Sequence, residues 1–184
     1  MTEKRAKLVI EATGAGTLVG RIARLSIVDT ELSLAFKIHI PVILSANQAT
    51  LSIDLRYPEV RSWRALRGRN YRFDESTRRY EKSDGETYAR DDVFSDIRTA
   101  AVSYDTFITR VTFGSEGTRR LIIAAEGTVR VAEGPTPFVI DAQVQVGAVV
   151  VERGTQREVA RQLDLDAYQP PVVRDGLLTY DPKF

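Results

Sequence analysis

From Glu31 to Ile40 apolar residues occupy every second position: Leu32, Leu34, Phe36, Ile38 and Ile40 alternate with Glu31, Ser33, Ala35, Lys37 and His39. A repeat of two sets one face of a β-strand on a core and leaves the other in water, whereas a helix would scatter these residues around its axis. Thr50 to Tyr57 repeats the pattern with Leu51, Ile53, Leu55 and Tyr57, and Ser45-Ala46-Asn47-Gln48 supplies a turn between the two segments. Phe138 to Val146 alternates again, with Phe138, Ile140, Ala142, Val144 and Val146 inward and Asp141, Gln143 and Gln145 outward. One-sided alternation predicts antiparallel sheet with a wet face.

Shorter apolar runs predict further strands over Lys7–Ala12, Leu18–Val28, Phe107–Phe113, Leu121–Ala125 and Thr128–Val131. They are punctuated by Gly14-Ala-Gly16, Gly114-Ser-Glu-Gly117, Glu126-Gly127 and Glu133-Gly134-Pro135. Lys82-Ser83-Asp84-Gly85-Glu86 is a hairpin-turn candidate, because Asp-Gly tolerates the positive φ of tight primed turns. Sliding the chain by 87 residues aligns Leu34 with Leu121, Val42 with Val129, and Ile53-Asp54 with Ile140-Asp141, a faint internal echo.

Two short helices are predicted to interrupt the strands. Pro58 suits a first helical turn, Val60, Trp63 and Leu66 share a face, and Gly68 can end the segment in the left-handed conformation. A second helix is expected from Asp91 to Val102, where Val93, Phe94, Ile97, Ala100 and Ala101 form a stripe, although an irregular strand fits the same residues. Thr155-Gln-Arg-Glu158 has the form of a capping box, but Val159, Arg161, Leu163 and Leu165 alternate, and the segment is assigned to strand. Pro170 and Pro171 cannot continue a ladder. The expected organisation is therefore a single antiparallel β domain over residues 1–167 and an extended C-terminal arm over 168–184. Val172, Val173, Leu177, Leu178, Tyr180 and Phe184 make that arm too apolar for a solvated tail, so it docks on its own or, preferably, a neighbouring subunit of a homo-oligomer.

The chain has 184 residues, enough to remove roughly 70% of its unfolded surface from water. Its 43% hydrophobic and 28% charged residues place it among ordinary globular proteins. Absence of cysteine excludes disulfides, thiolate nucleophiles and Cys-ligated metal, and a single histidine, His39, excludes a poly-His metal site within one chain. The apolar run Leu8-Val9-Ile10 is too short for a signal sequence, and the longest, Val146 to Val151, is too short to span a bilayer. A cytoplasmic protein without membrane or cofactor is expected.

The segment Lys7 to Gly20 resembles a strand and glycine turn that could open a dinucleotide site, but Thr17 to Arg24 leaves no room for the crossover helix such a site needs. A glycine-containing β-turn is the better assignment. His39 lies on the polar face of its strand, where a solvated histidine is expected unless a nucleophile and an orienting acid converge on it. Asp91 and Asp92 with Asp96, and Asp164 with Asp166, are candidates for paired-carboxylate chemistry, against roles at a helix start or on a wet strand face.

Arg56 to Lys82 is the compositional anomaly: nine basic side chains against four acidic, with Tyr57, Trp63, Tyr71, Phe73 and Tyr80 interleaved. Arginine with aromatics is the composition of protein-interface hot spots and of single-strand nucleic-acid platforms, or else a solvated face over a buried Trp63 and Leu66. Because the whole chain carries only +1, the rest is net negative, which suits oriented docking on a protein better than sliding on DNA. The candidate interface comprises Arg61, Trp63, Arg64, Arg67, Arg69, Tyr71, Arg72, Arg78, Arg79 and Tyr80. The expected fold is all-β, an antiparallel β-sandwich or partly closed β-barrel with one or two short peripheral helices. The expected function is non-catalytic binding or assembly through protein-protein contacts. The alternatives are a β-barrel small-molecule carrier with an open interior and a carboxylate-dependent hydrolase using Asp91, Asp92, Asp164 or Asp166.

Overall fold

A computed structural model describes residues 10–23, 32–56, 60–73, 93–132 and 134–184, with only the backbone of Val93 and Phe94. The described strands are β1 (Ile10–Ala12), β2 (Gly16–Ala23), β3 (Ser33–Leu44), β4 (Asn47–Leu55), β5 (Asn70–Arg72), β6 (Val93–Thr99), β7 (Ser103–Glu116), β8 (Arg120–Val131), β9 (Gly134–Val151), β10 (Val172–Arg174) and β11 (Leu177–Tyr180). The fold is all-β and mostly antiparallel. Strand β2 pairs antiparallel with β3 and parallel with β9, so β2, β3, β4, β6, β7, β8 and β9 form a closed ring. That parallel seam is the one exception among the described ladders. It carries a register shift between Leu18 and Gly20, and a Cβ at position 20 would lie 2.5 Å from Val149 Cγ2. Part of the glycine-rich opening therefore serves close strand approach rather than phosphate.

Alternation along the chain becomes the inner wall of this ring. Leu34, Phe36, Ile38, Ile40 and Val42 on β3 face Leu51, Ile53 and Leu55 on β4, while Leu121, Ile123 and Val129 on β8 face inward beside Phe138, Ile140 and Val144 on β9. Leu18, Ile22, Ile38, Ile40, Leu51, Leu121, Ile123 and Val144 retain no accessible surface. Side chains lining a ligand-sized void would keep some, so these eight are close-packed against their neighbours. Among the described residues, no helix is long and apolar enough to cross a membrane.

Several expectations are corrected by the tertiary context. Val93–Thr99 is strand, not the start of a helix over Asp91–Val102: β6 pairs with β4 along its whole length, and Ala100 and Ala101 of the supposed apolar stripe are exposed. Its inward Ser95 is accommodated by Thr106, whose hydroxyl donates to Ser95 Oγ at 2.6 Å. The two strands expected at Leu121–Ala125 and Thr128–Val131 are one, β8, because Gly127 sits opposite a bulge between Ile108 and Arg110 of β7 and breaks nothing. Gln156–Gln162 is helix α1 and not strand. Thr155 Oγ accepts from Glu158 N and Glu158 Oε2 accepts from Thr155 N at 2.7 Å, so the capping box outweighs the alternation. Val159 and Leu163 bury one turn apart. The expected helix near Pro58 is a single 3-10 turn, Trp63–Leu66, and Gly68 follows it at φ 73°.

The ladder also resumes after Pro170 and Pro171. Strands β10 and β11 form a hairpin, and β11 pairs with Val149–Val151 of β9, so this stretch extends the sheet of its own chain. The 87-residue echo corresponds to two hairpins in equal register: the turn-flanking pair Leu44↔Asn47 of β3–β4 maps onto Val131↔Gly134 of β8–β9. The turn candidate Lys82–Glu86 lies outside the described residues.

Candidate functional site

At the end of the ring where β4, β7 and β9 finish, residues 60–73, α1 and the residues after β11 converge. The segment is pinned by its backbone: Gly68 N donates to Phe113 O at 2.7 Å, Phe113 N to Arg69 O at 2.8 Å, and β5 continues along Arg110–Thr112 of β7. The apolar face expected of the 3-10 turn is observed, since Trp63 is 2% exposed and Val60 and Leu66 are buried with it. Trp63 N donates to the Tyr168 hydroxyl at 3.3 Å. Burial pushes the Tyr168 phenol above its ordinary pKa, against the smaller lowering effect of that hydrogen bond.

Around this buried tryptophan the arginines act as struts. Arg67 stacks 4.6 Å from the Trp63 ring centroid and donates to the carbonyls of Gly117 and Thr118 in the β7–β8 turn. Arg64 lies 5.6 Å from the same ring and donates to Lys183 O at 2.9 Å, Arg61 donates to Ala160 O of α1 at 2.8 Å, and Arg69 to Ala65 O. Guanidinium groups suit this work because their rigid donor fork reaches carbonyls while the planar face lies on a ring. Tyr71 is half-buried, edge-on to Phe113 at 6.1 Å, and Arg72 is exposed on β5. Arg78, Arg79 and Tyr80 lie outside the described residues.

Two participants come from elsewhere in the chain and were not among the expected interface residues. The Phe184 ring packs tilted on Trp63 with centroids 5.6 Å apart, and Arg119 of the β7–β8 turn lies 5.1 Å from the Phe184 ring. Phe184 is 48% exposed, and Arg64 and Arg119 are exposed with it. Among the described residues, no carboxylate lies within ion-pairing distance of Arg64, Arg67 or Arg119. The assembled surface is thus three guanidiniums around two stacked rings, one ring buried and one open to solvent.

The carboxylate candidates are placed differently. Asp164 and Asp166 border an open hollow of about 450 Å³ with Arg61, Ser62, Ala65, Ala160, Leu163 and Leu165. Asp164 Oδ1 accepts from Asp166 N at 3.3 Å and so caps the 3-10 turn Leu165–Ala167, a structural task that explains the spacing. Asp96 is buried and ion-paired to Arg98 and accepts from Ser103 Oγ, while Asp91 and Asp92 lie outside the described residues. Among the described residues, no group of three His, Asp or Glu side chains could hold a metal. His39 does meet a hydroxyl, with Nδ1 3.2 Å from Ser52 Oγ across the β3–β4 ladder. Asp96 is opposite Ser52 on the next strand, on the wrong side to orient the imidazole, and its carboxylate is committed to Arg98 and Ser103. The pair reads as a cross-strand contact.

Comparison with known proteins finds no matching family model, no matching curated protein and no matching solved structure.

Proposed function

We propose that this protein is a non-catalytic binding or assembly module that docks a protein partner at the capped end of the ring. The observation that supports this most is the exposed cluster of Arg64, Arg119 and Phe184 over Trp63 and Arg67, whose positive charge has no carboxylate partner among the described residues. Arginine and aromatic side chains grouped in one patch are the residues that carry most binding energy at protein interfaces. A single-stranded nucleic acid fits the patch less well, because bases need open ring faces and Trp63 is 2% exposed, leaving Phe184 as the one open ring in the cluster.

The test is affinity capture from the protein's own cellular extract with wild type and with Arg64→Glu combined with Arg119→Glu. Both side chains are exposed, so the double variant is expected to melt within about 1 kcal/mol of wild type. A partner should be retained by wild type and lost from the variant. Equal recovery of every bound protein on the two matrices would overturn the reading. Arg67 is unsuitable for this purpose: it holds the Gly117 and Thr118 carbonyls and stacks on the core tryptophan, so its reversal is expected to destabilise the fold itself.

A further inference from the structure

Phe184 occupies a seat whose other walls are contributed by distant parts of the chain. Trp63 forms the floor and Arg119 covers the ring from the β7–β8 turn. Arg64 holds the adjacent Lys183 carbonyl at 2.9 Å, and Lys183 N donates to Ala167 O at 2.9 Å. Beyond Pro182, which bridges Tyr168, those two hydrogen bonds and one half-exposed ring are what the described structure shows holding the segment. The floor, by contrast, is fixed: Trp63 is buried and Arg67 ties it to two carbonyls. A rigid aromatic floor under three guanidiniums that have no carboxylate partner among the described residues favours a ring flanked by negative charge, yet the residue beside Phe184 is Lys183. The present occupant supplies the ring and leaves the three guanidiniums without a carboxylate partner among the described residues.

We infer that Phe184 is an intramolecular placeholder, and that an acidic peptide segment carrying an aromatic side chain displaces it from the seat between Trp63 and Arg119. This rests on the docking reading above and specifies the chemistry of the partner. The ring of the incoming segment takes the place of Phe184 on Trp63, and its flanking carboxylates meet Arg64, Arg67 and Arg119, pairings the Lys183–Phe184 segment does not make. Displacement also releases the Arg64 hydrogen bond to Lys183 O, freeing that guanidinium for the ligand.

Trp63 is the protein's one tryptophan, so its emission reports on the seat without a label. The probe is a blocked pentapeptide, Glu-Glu-Phe-Glu-Glu, compared with Glu-Glu-Ala-Glu-Glu and Lys-Lys-Phe-Lys-Lys. Saturable change in Trp63 emission is expected with the first peptide alone, weakening as salt is raised. Phe184→Ala should tighten its binding about tenfold, the competition from a ring stacked on tryptophan and arginine, whereas Phe184→Tyr should leave it near wild type. Arg119→Glu should abolish the response in both backgrounds. Equal affinity of wild type and Phe184→Ala, or equal binding of the phenylalanine and alanine peptides, would overturn the displacement while leaving docking by charge intact. No binding of the first peptide to Phe184→Ala would overturn the assigned partner chemistry, whatever the capture experiment shows. Emission that changes with protein concentration alone, in step with mass by light scattering, would place the Phe184 of a second copy in the seat and overturn its intramolecular role.

Discussion

Two hairpins in this molecule turn on the same backbone and differ in everything else. The β3–β4 turn places Ser45 and Ala46 at φ 46° and 73°, and the β10–β11 turn places Asp175 and Gly176 at φ 51° and 78°. Positive φ at both central residues is the requirement of a type I′ turn, which Asp-Gly meets readily and Ser-Ala meets at a steric cost of about 1–2 kcal/mol per residue. The difference lies in what stands behind each turn. Strands β3 and β4 pair from Phe36↔Leu55 to Leu44↔Asn47 and bury Ile38, Ile40, Val42, Leu51 and Ile53 in the ring. Strands β10 and β11 pair only from Val172↔Thr179 to Arg174↔Leu177, and β10 is exposed throughout, with Val173 at 70%. A long ladder with a buried face imposes its register on an unsuitable turn; a short, wet ladder depends on turn chemistry to form at all.

The largest expected effect follows from the buried face. Ile38→Asp should destabilise the protein by at least about 3 kcal/mol, because it places an uncompensated carboxylate where no accessible surface remains. Lys37→Asp, one residue away on the outer face, should cost under about 1 kcal/mol, the loss of a loose 3.8 Å pairing with Asp54 and some repulsion in its place. Urea titrations of the two variants check this. Equal losses would mean that β3 does not hold its register through the core, and the comparison would lose its basis.

A smaller effect is expected at the other turn. Gly176→Val puts a β-branched residue at φ 78° and should cost about 2 kcal/mol, spent locally because the adjoining ladder is short. Arg174, paired with both carboxylate oxygens of Asp181, is the main side-chain fastening of that hairpin and cannot compensate for a distorted turn. Hydrogen exchange should show faster exchange through Val172–Tyr180 while amides of β3, β4, β8 and β9 keep their protection. Loss of protection throughout the ring would show that the hairpin is a cooperative part of the wall rather than an appendage to β9.

The same contrast explains what was legible in the amino-acid sequence. Strands β3 and β4, and β9 as far as Val146, are visible because their wall residues alternate without interruption, as at Leu51-Ser52-Ile53-Asp54-Leu55. Strand β6 is hidden because its inward position 95 is a serine whose polarity is satisfied only by Thr106, eleven residues on and one strand over. The Asp175-Gly176 signal is as strong as any hairpin dipeptide can be, but Pro170 and Pro171 mask it by suggesting that the sheet has ended. Helix α1 shows the reverse: its capping box was explicit, and an accidental alternation at Val159, Arg161 and Leu163 obscured it. The candidate site divides in the same way. Trp63, Arg61, Arg64 and Arg67 stand out by local composition, and Phe184 stands out as part of an apolar C-terminal stretch that must dock somewhere, whereas Arg119 has no local signal and only the tertiary fold brings the three regions together. Asp164 and Asp166 stand two apart in the chain because one caps the turn that contains the other, which spacing alone cannot distinguish from a reactive pair.

The smallest expected effect has the opposite sign and tests the comparison most directly. If the β3–β4 ladder forces Ser45 and Ala46 into a conformation they disfavour, exchanging them for residues suited to it should recover part of that cost. Ser45→Asn with Ala46→Gly should stabilise the protein by about 1–2 kcal/mol. Glycine at 46 also gains backbone freedom in the unfolded chain, which offsets up to about 1 kcal/mol, so the net gain is expected near the lower figure. The pairs Leu44↔Asn47 and Ile43↔Gln48 flank the turn and should remain in register, because the core residues behind them hold the strands independently of the turn. Thermal melts of the double variant against wild type give the sign, and cross-strand amide contacts measured by NMR at Ile43 and Gln48 verify the register. The reciprocal exchange, Asp175→Ser with Gly176→Ala, should cost rather than gain, since no buried ladder enforces that turn. Stabilisation at neither turn, with equal losses at both, would show that turn chemistry matters alike in the two hairpins and that ladder length does not govern which sequences can turn there.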